Sequence, residues 1–97
     1  MVDHLVFFKF KPEVSASRRA EIGQALKALQ GVVPGVVEIT CGENFTARGQ
    51  GHQFGLFVRL KDKAALETYA RHPAHVEVVE SMIKPFVENI IAIDYEF

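Results

Sequence analysis

Abstracting a proton beside a carbonyl takes two groups, a base that titrates near working pH and a donor that steadies the enolate oxygen. Histidine suits the first task and a tyrosine hydroxyl the second. Both occur inside one short stretch, Tyr69-Ala70-Arg71-His72-Pro73-Ala74-His75-Val76. A third polar group, His4, alternates with Val6 and Phe8 near the start of the chain. Tyr69 shares a helical face with Leu66, so its ring is expected to be buried while its hydroxyl seeks a partner. Pro73 disfavours helical geometry at His72, and the break turns His75 toward the same space. Three polar groups converging on an apolar layer describe a small-ligand pocket. They describe equally a buried strut, with Tyr69 bonded to His75 and His4 to a backbone carbonyl, because buried polar groups usually find partners. The residues alone leave both readings open.

Other residues of chemical type carry less. His72 precedes proline and is read as a solvent-facing turn residue. His52 has no partner at metal-ligand spacing, so no zinc site is expected there. Gly49-Gln50-Gly51 does not open a helix and is no phosphate loop. Asp94 is expected to pair with a Lys or Arg. The single Cys41 cannot form an internal disulfide and reads as a small core residue. No Ser-His-Asp arrangement, flavin or nicotinamide fingerprint, or haem spacing is present. An enzyme here would work without a metal or organic cofactor, as a cyclase, isomerase or lyase.

The elements that must hold these groups follow from hydrophobic period. His4 to Phe10 is a strand rich in β-formers, stopped by Lys11-Pro12. Ser15 and Ser17 are candidate N-caps of a helix whose stripe is Ile22, Ala25, Leu26 and Leu29, ended by Gly31 and Pro34-Gly35. Val37 to Cys41 alternates as a half-buried strand, and a loop through Gly49-Gln50-Gly51 leads to a strand with Phe54, Leu56, Val58 and Leu60. Asp62 caps a second helix with Ala65, Leu66, Tyr69 and Ala70 on one side. A further helical stretch restarts near Ala74, with Val76, Val79, Ile83 and Phe86 expected to face inward and Pro85 bending its last turn. Ile90 to Phe97 forms the last strand. The order is β-α-β-β-α-β, a ferredoxin-like α+β fold with a four-stranded antiparallel sheet and helices on one face.

At 97 residues, 48% hydrophobic and 24% charged, the chain fits one globular domain over 1–97, since a second core would be starved at this length. Eleven basic and twelve acidic residues are spread along it, without the basic stripe that phosphate backbones require, so nucleic acid is not an expected partner. No apolar run reaches the roughly 18 to 20 residues of a membrane span, and the start reads as a strand, not a signal peptide. No membrane association and a cytoplasmic location are the expectations.

The first strand is apolar on both faces. His4, Val6, Phe8 and Phe10 point one way, Leu5 and Phe7 the other, and Phe57 shares the second face. Helices cover one face of such a sheet. Leu5, Phe7 and Phe57 on the open side form the kind of patch that marks an interface, and pairing of two sheets face to face is a two-fold solution. A homodimer through this face is the expected partner.

The stretch from Tyr69 to Val76 resembles the Tyr-x-x-His-Pro-x-His signature of the stress-responsive A/B barrel (Dabb) family. Other landmarks fall in matching order: His4, Phe8-Lys9-Phe10-Lys11, Pro34, Gly42 and Asp94-Tyr95. The resemblance covers essentially the whole chain and implies a dimeric α+β barrel, with a pocket in each subunit between its own sheet and helices. In a polyketide-cyclising plant member the matching His is the general base and the matching Tyr holds the chain's carbonyl. The resemblance thus implies catalytic roles for His75 and Tyr69, with His4 beside them in the ligand pocket. That member has another pocket His on strand three, where this chain carries Phe54 and then Gly55, so Phe54 would line a pocket of different polarity and shape. In plant stress members a divalent ion can sit among backbone carbonyls, here about Leu29 to Gly35. The combined expectation is a pocket for a small apolar carbonyl or phenolic compound, with His-based proton transfer. The alternative is a non-catalytic stress or assembly protein in which the dimer is the working part.

Overall fold

A computed structural model describes residues Met1–Phe97. The chain runs β1 (Val2–Phe10), α1 (Ala16–Lys27), β2 (Val36–Glu43), β3 (Phe54–Leu60), α2 (Lys63–Arg71), α3 (Pro73–Val78), a π-helical turn (Val79–Ile83) and β4 (Val87–Glu96). The strands form one antiparallel sheet in the order β2-β3-β1-β4. This is the ferredoxin-like α+β fold that the sequence predicts. No helix is long and apolar enough to cross a membrane.

Local chemistry sets the helix starts. Ser15 Oγ accepts from the Arg18 N–H at 3.1 Å, and Asp62 Oδ1 accepts from the Ala65 N–H at 2.8 Å. Each satisfies a backbone donor that has no partner inside its helix. His72 does the same for α3, its Nδ1 accepting from the Ala74 N–H at 3.1 Å while Pro73 occupies the first helical position. On α1 the buried face is Ile22, Gly23 and Leu26. A Cβ at Gly23 would stand 2.8 Å from the Phe54 ring and 3.1 Å from Cys41 Sγ. The missing side chain lets α1 sit close on β2 and β3, so Gly23 serves where the periodicity placed Ala25.

Two expectations need correction. Val76 is exposed, and the residues packed inward along this arm are Ala74, Val78, Met82, Ile83 and Phe86. The inward stripe starts from Ala74, two positions before the expected one, and the π-helical turn then shifts its phase, because each such turn carries an extra residue. Strand β4 starts at Val87, with a bulge at Lys9/Phe10 in its pairing with β1.

The register makes each face a set of rows. Toward the helices stand Ile39-Val58-His4-Asp94 and Cys41-Leu56-Val6-Ala92, among others. Strands β1 and β3, the central pair, bury Val2, Val6, Phe8, Phe10, Phe54, Leu56, Val58 and Leu60 against Ile22, Leu26 and Tyr69. Burying a side chain of this size contributes about 1.5–3 kcal/mol. The open face carries the rows Gly42-Gly55-Phe7-Ile91, Thr40-Phe57-Leu5-Ile93 and Glu38-Arg59-Asp3-Tyr95. Phe7, Ile91, Ile93, Tyr95 and Phe97 on this face are exposed. Strand β4 therefore extends the apolar patch well beyond Leu5, Phe7 and Phe57.

One ion pair anchors the last row. Asp3 is buried and accepts from Arg59 Nε at 2.8 Å, Arg59 Nη2 at 2.9 Å and the Tyr95 hydroxyl at 3.1 Å. The Arg59 guanidinium holds the Asp3 carboxyl below its ordinary value, against the opposing effect of burial. A carboxylate with a depressed pKa in the folded state adds stability that is complete above its unfolded value, about 3.9. That stability is lost as pH falls through the lower folded value. Denaturant midpoints between pH 2 and 7 are expected to drop below about pH 4, and Asp3→Asn is expected to flatten that acid limb. Parallel curves for the two proteins would assign the acid sensitivity to other carboxylates.

Candidate functional site

His4 lies on the helix-side face of β1, and antiparallel pairing sets it directly opposite Asp94 on β4. Its Nδ1 hydrogen-bonds the Asp94 carboxylate. Asp94 thus pairs with His4, not with the Lys or Arg that alternation suggested, because strand register decides cross-strand neighbours. Above His4, α2 presents Tyr69, whose ring meets the His4 ring edge-on at 6.0 Å between centroids. Tyr69 in turn packs against His75 at 4.3 Å. Three side chains from β1, α2 and α3 therefore come together in one layer.

The hydroxyl of Tyr69 is buried and has no hydrogen-bond partner. Burial without a partner pushes its pKa up to about 12, so it is a neutral O–H. His75 does not satisfy it. Instead His75 Nδ1 lies 3.1 Å from the Ala70 carbonyl, which can only accept, so Nδ1 carries the proton and Nε2 keeps its lone pair. Burial lowers the pKa of His75, the Ala70 carbonyl opposes this, and His4 and His72 lower it further. A neutral imidazole with a free lone pair thus stands beside an unspent phenol donor. The strut geometry is not the one present, since Tyr69 bonds nothing and His4 bonds a carboxylate. Along β4 the helix-side residues Ile90, Ala92 and Asp94 are exposed, so the layer is open on that edge, next to His4.

The remaining candidates sit elsewhere. Phe54 is buried against Phe8, Phe10 and Gly23. It lies four positions along β3 from Val58, the strand neighbour of His4. That is roughly 13 Å at about 3.3 Å per residue, so the structure does not bring it to the trio. His72 is spent as the α3 cap. His52 joins Gly49 O at 2.9 Å to Asn89 Oδ1 at 2.8 Å and ties the β2–β3 loop to β4. Cys41 Sγ lies 3.5 Å from the Gly23 carbonyl, and burial raises its pKa away from the reactive thiolate.

In the turn from Leu29 to Gly35, the carbonyls of Leu29, Val33 and Gly35 already accept from Val32 and Val33, Val36 and Lys61. The segment holds no carboxylate to balance a divalent charge. Its other carbonyls, those of Gln30, Gly31, Val32 and Pro34, accept from no backbone N–H. A concavity of about 700 Å³ lies on the opposite, open face of the sheet, between the β2–β3 loop and Phe7, Gly42, Gly55 and Ile91. It touches none of the trio.

The family model described as the stress responsive A/B barrel domain matches residues 2–97. The chain belongs to that family. Among relatives of this Dabb chain, olivetolic acid cyclase of Cannabis sativa is 25% identical over 96 residues, covering 97% of this chain and 94% of the cyclase. A stress-response A/B barrel domain-containing protein of Arabidopsis thaliana is 27% identical over 95 residues, covering 97% of this chain; the chain spans 36% of that protein's length. A dimeric ferredoxin-like protein from Jannaschia superposes with a TM-score of 0.84 at 29% identity, over 99% of this chain and 98% of that one. A crystal structure from Arabidopsis thaliana reaches 0.90 at 23% identity, over 100% and 95%. The hydroxynitrile lyase of Passiflora edulis reaches 0.86 at 21%, over 97% and 90%. At those identities the last two speak for the fold alone.

The candidates that the sequence names, Tyr69, His75 and His4, lie together in the structure, but the sequence does not show Asp94 as the residue that hydrogen-bonds His4. Only the β1–β4 pairing, between segments 90 positions apart, could have revealed it.

Proposed function

We propose that this Dabb protein works as a homodimer through its open sheet face, and that each subunit binds a small apolar carbonyl or phenolic compound among Tyr69, His75 and His4. The observation that carries the reading is the buried Tyr69 hydroxyl without a partner, beside a histidine whose Nε2 is free. A buried hydroxyl left unsatisfied costs about 1–3 kcal/mol, and a ligand oxygen there would relieve that cost. Polar groups that cost stability in this way concentrate at functional sites.

Proton transfer follows from the same geometry. The Tyr69 O–H holds the ligand's carbonyl oxygen, His75 Nε2 takes the proton from the adjacent carbon, and the charge develops on the oxygen that Tyr69 holds. Asp94 fixes the orientation of His4 at the layer's edge. The 25% identity to olivetolic acid cyclase across nearly the whole chain supports carbonyl chemistry of this class, and the dimeric Jannaschia relative supports the pairing.

The test uses substituted phenols and short β-keto compounds, with binding read by calorimetry and exchange of the acidic C–H with deuterated solvent read by NMR. Tyr69→Phe is expected to weaken binding roughly 5- to 10-fold, the worth of one hydrogen bond. It should leave the fold as stable or more so, because it removes an unsatisfied group. His75→Ala is expected to slow exchange about 10²- to 10⁴-fold. The wild-type rate should hold as pH falls past 6.5 and decline only at the lower value where His75 protonates. Unchanged binding and exchange in both variants, with native melts, would falsify the reading. A non-catalytic assembly protein is the second reading, favoured by the breadth of the exposed apolar face; it expects the dimer to persist with no compound bound.

A further inference from the structure

The open-face row Gly42-Gly55-Phe7-Ile91 crosses all four strands, and its first two members carry no side chain. Neither glycine adopts a positive φ, so the backbone does not demand one. A Cβ at Gly42 would meet nothing within 4 Å, and one at Gly55 only the Phe7 ring at 4.0 Å. Packing inside the subunit does not demand one either. Glycine inside a strand weakens it, and often marks a place that another group approaches closely. Together the two leave a notch that opens into the concavity of about 700 Å³ under the β2–β3 loop.

The loop forming the notch wall is fixed by its own hydrogen bonds. Asn44 Oδ1 accepts from the Thr46 N–H at 3.0 Å, Asn44 Nδ2 donates to His52 O at 3.1 Å, and the Asn44 N–H donates to Gln53 O at 2.7 Å. Thr46 Oγ1 accepts from the Arg48 N–H at 3.3 Å. Between these anchors Phe45 stands 95% exposed. A phenyl ring held in water on a rigid loop forgoes its burial energy within the subunit, but it loses little freedom on docking.

We infer that the Gly42/Gly55 notch is a socket for Phe45 of a second copy of this chain. The inference rests on the homodimer reading of the open face. The notch is continuous with that apolar face, sharing Phe7 and Ile91 with it. Asn44 and Thr46, on either side of Phe45, line the concavity, so Phe45 adjoins the socket. A two-fold interface, which uses the same patch on both copies, engages the two reciprocally.

Sedimentation equilibrium of the full chain tests it. Phe45→Ala is expected to weaken the dimer about 10- to 100-fold. Gly55→Val, which fills the socket, is expected to do the same while each subunit melts as the wild type does. The double variant should be no weaker than either single one, because both remove one contact. A wild-type dimer whose affinity neither change alters overturns the socket. Weakening by Gly55→Val alone, or fully additive losses, overturns Phe45 as its occupant. If Gly55→Val leaves the dimer intact and abolishes binding of the phenol panel, the notch is a ligand site and the inference falls. A wild-type chain that stays monomeric at all concentrations would instead reject the dimer reading on which it rests.

Discussion

Phe7→Lys is expected to convert the proposed homodimer to folded monomers, raising the dissociation constant at least about 10³-fold. Phe7 stands in the row between Gly55 and Ile91, with Leu5 two residues back on the same face. Two-fold symmetry brings two copies of the change into one interface. Each ammonium then loses water against the partner's apolar rows, at a cost of about 2 kcal/mol or more per site. Lysine can bend its stem to reach water at an edge, but Lys9 already occupies this face, paired with Glu88 at 3.7 Å. A second cation beside it adds repulsion. The subunit itself should survive, because Phe7 is 38% exposed and lies outside the buried cluster. Phe8→Lys, one residue on and 2% exposed, should unfold the subunit instead. Sedimentation with a parallel thermal melt reads both outcomes, and a Phe7→Lys protein that stays dimeric would move the interface elsewhere.

That adjacent residues have opposite expected effects follows from strand period alone. This is why so much of the fold was legible in the sequence. His4, Val6, Phe8 and Phe10 could be assigned to one face without knowing any partner strand. Which residues of β4 join Leu5 and Phe7 could not, because Ile90, Ile91 and Ile93 put apolar groups on both faces and only the register with β1 sorts them. The arm from Ala74 to Phe86 was legible only in part for a related reason. Ile83 and Phe86 face inward as expected, but a 3.6-residue period begun at Val76 starts on the wrong residue, and no sequence signal marks the π-helical turn beside which Met82 also packs inward.

The site divides along the same line. Tyr69 and His75 are six positions apart, and the Pro73 break that turns one toward the other is written in the local sequence. The bond from His75 to Ala70 spans five positions and belongs to the same break. His4 and Asp94 meet only through pairing of the first and last strands. The feature that most favours ligand binding, a buried phenol with no partner, is an absence of contact. Side-chain type can show that Tyr69 needs a partner, but only three-dimensional packing shows that His75, 4.3 Å away, spends its Nδ1 on a carbonyl instead.

Gly35→Ala is expected to cost about 2–5 kcal/mol, by adding a left-handed backbone penalty of about 1–2 kcal/mol to overpacking of about 1–3 kcal/mol. In a domain of this size that lowers the melting temperature by about 8–40 °C. Gly35 has φ +87°, and a Cβ there would stand 2.6 Å from the Ala65 Cβ. The backbone cannot readily step aside, because the Gly35 carbonyl accepts from the Lys61 N–H at 3.0 Å. Nor can Ala65, whose N–H is held by the Asp62 cap. Relief therefore has to move α2, and Tyr69 sits one turn beyond Ala65 on that helix. Gly31→Ala is the control: φ there is +88°, yet nothing lies within 4 Å of the added carbon. It should show the backbone penalty alone. The gap between the two variants measures the clash, and placing Gly35→Ala in an Ala65→Gly background should close it. If the clash displaces α2, Gly35→Ala should also weaken phenol binding at Tyr69 while Gly31→Ala does not. Equal losses of stability in both variants would mean that Gly35 is required only for its backbone angle, and that α2 keeps its seat on the sheet.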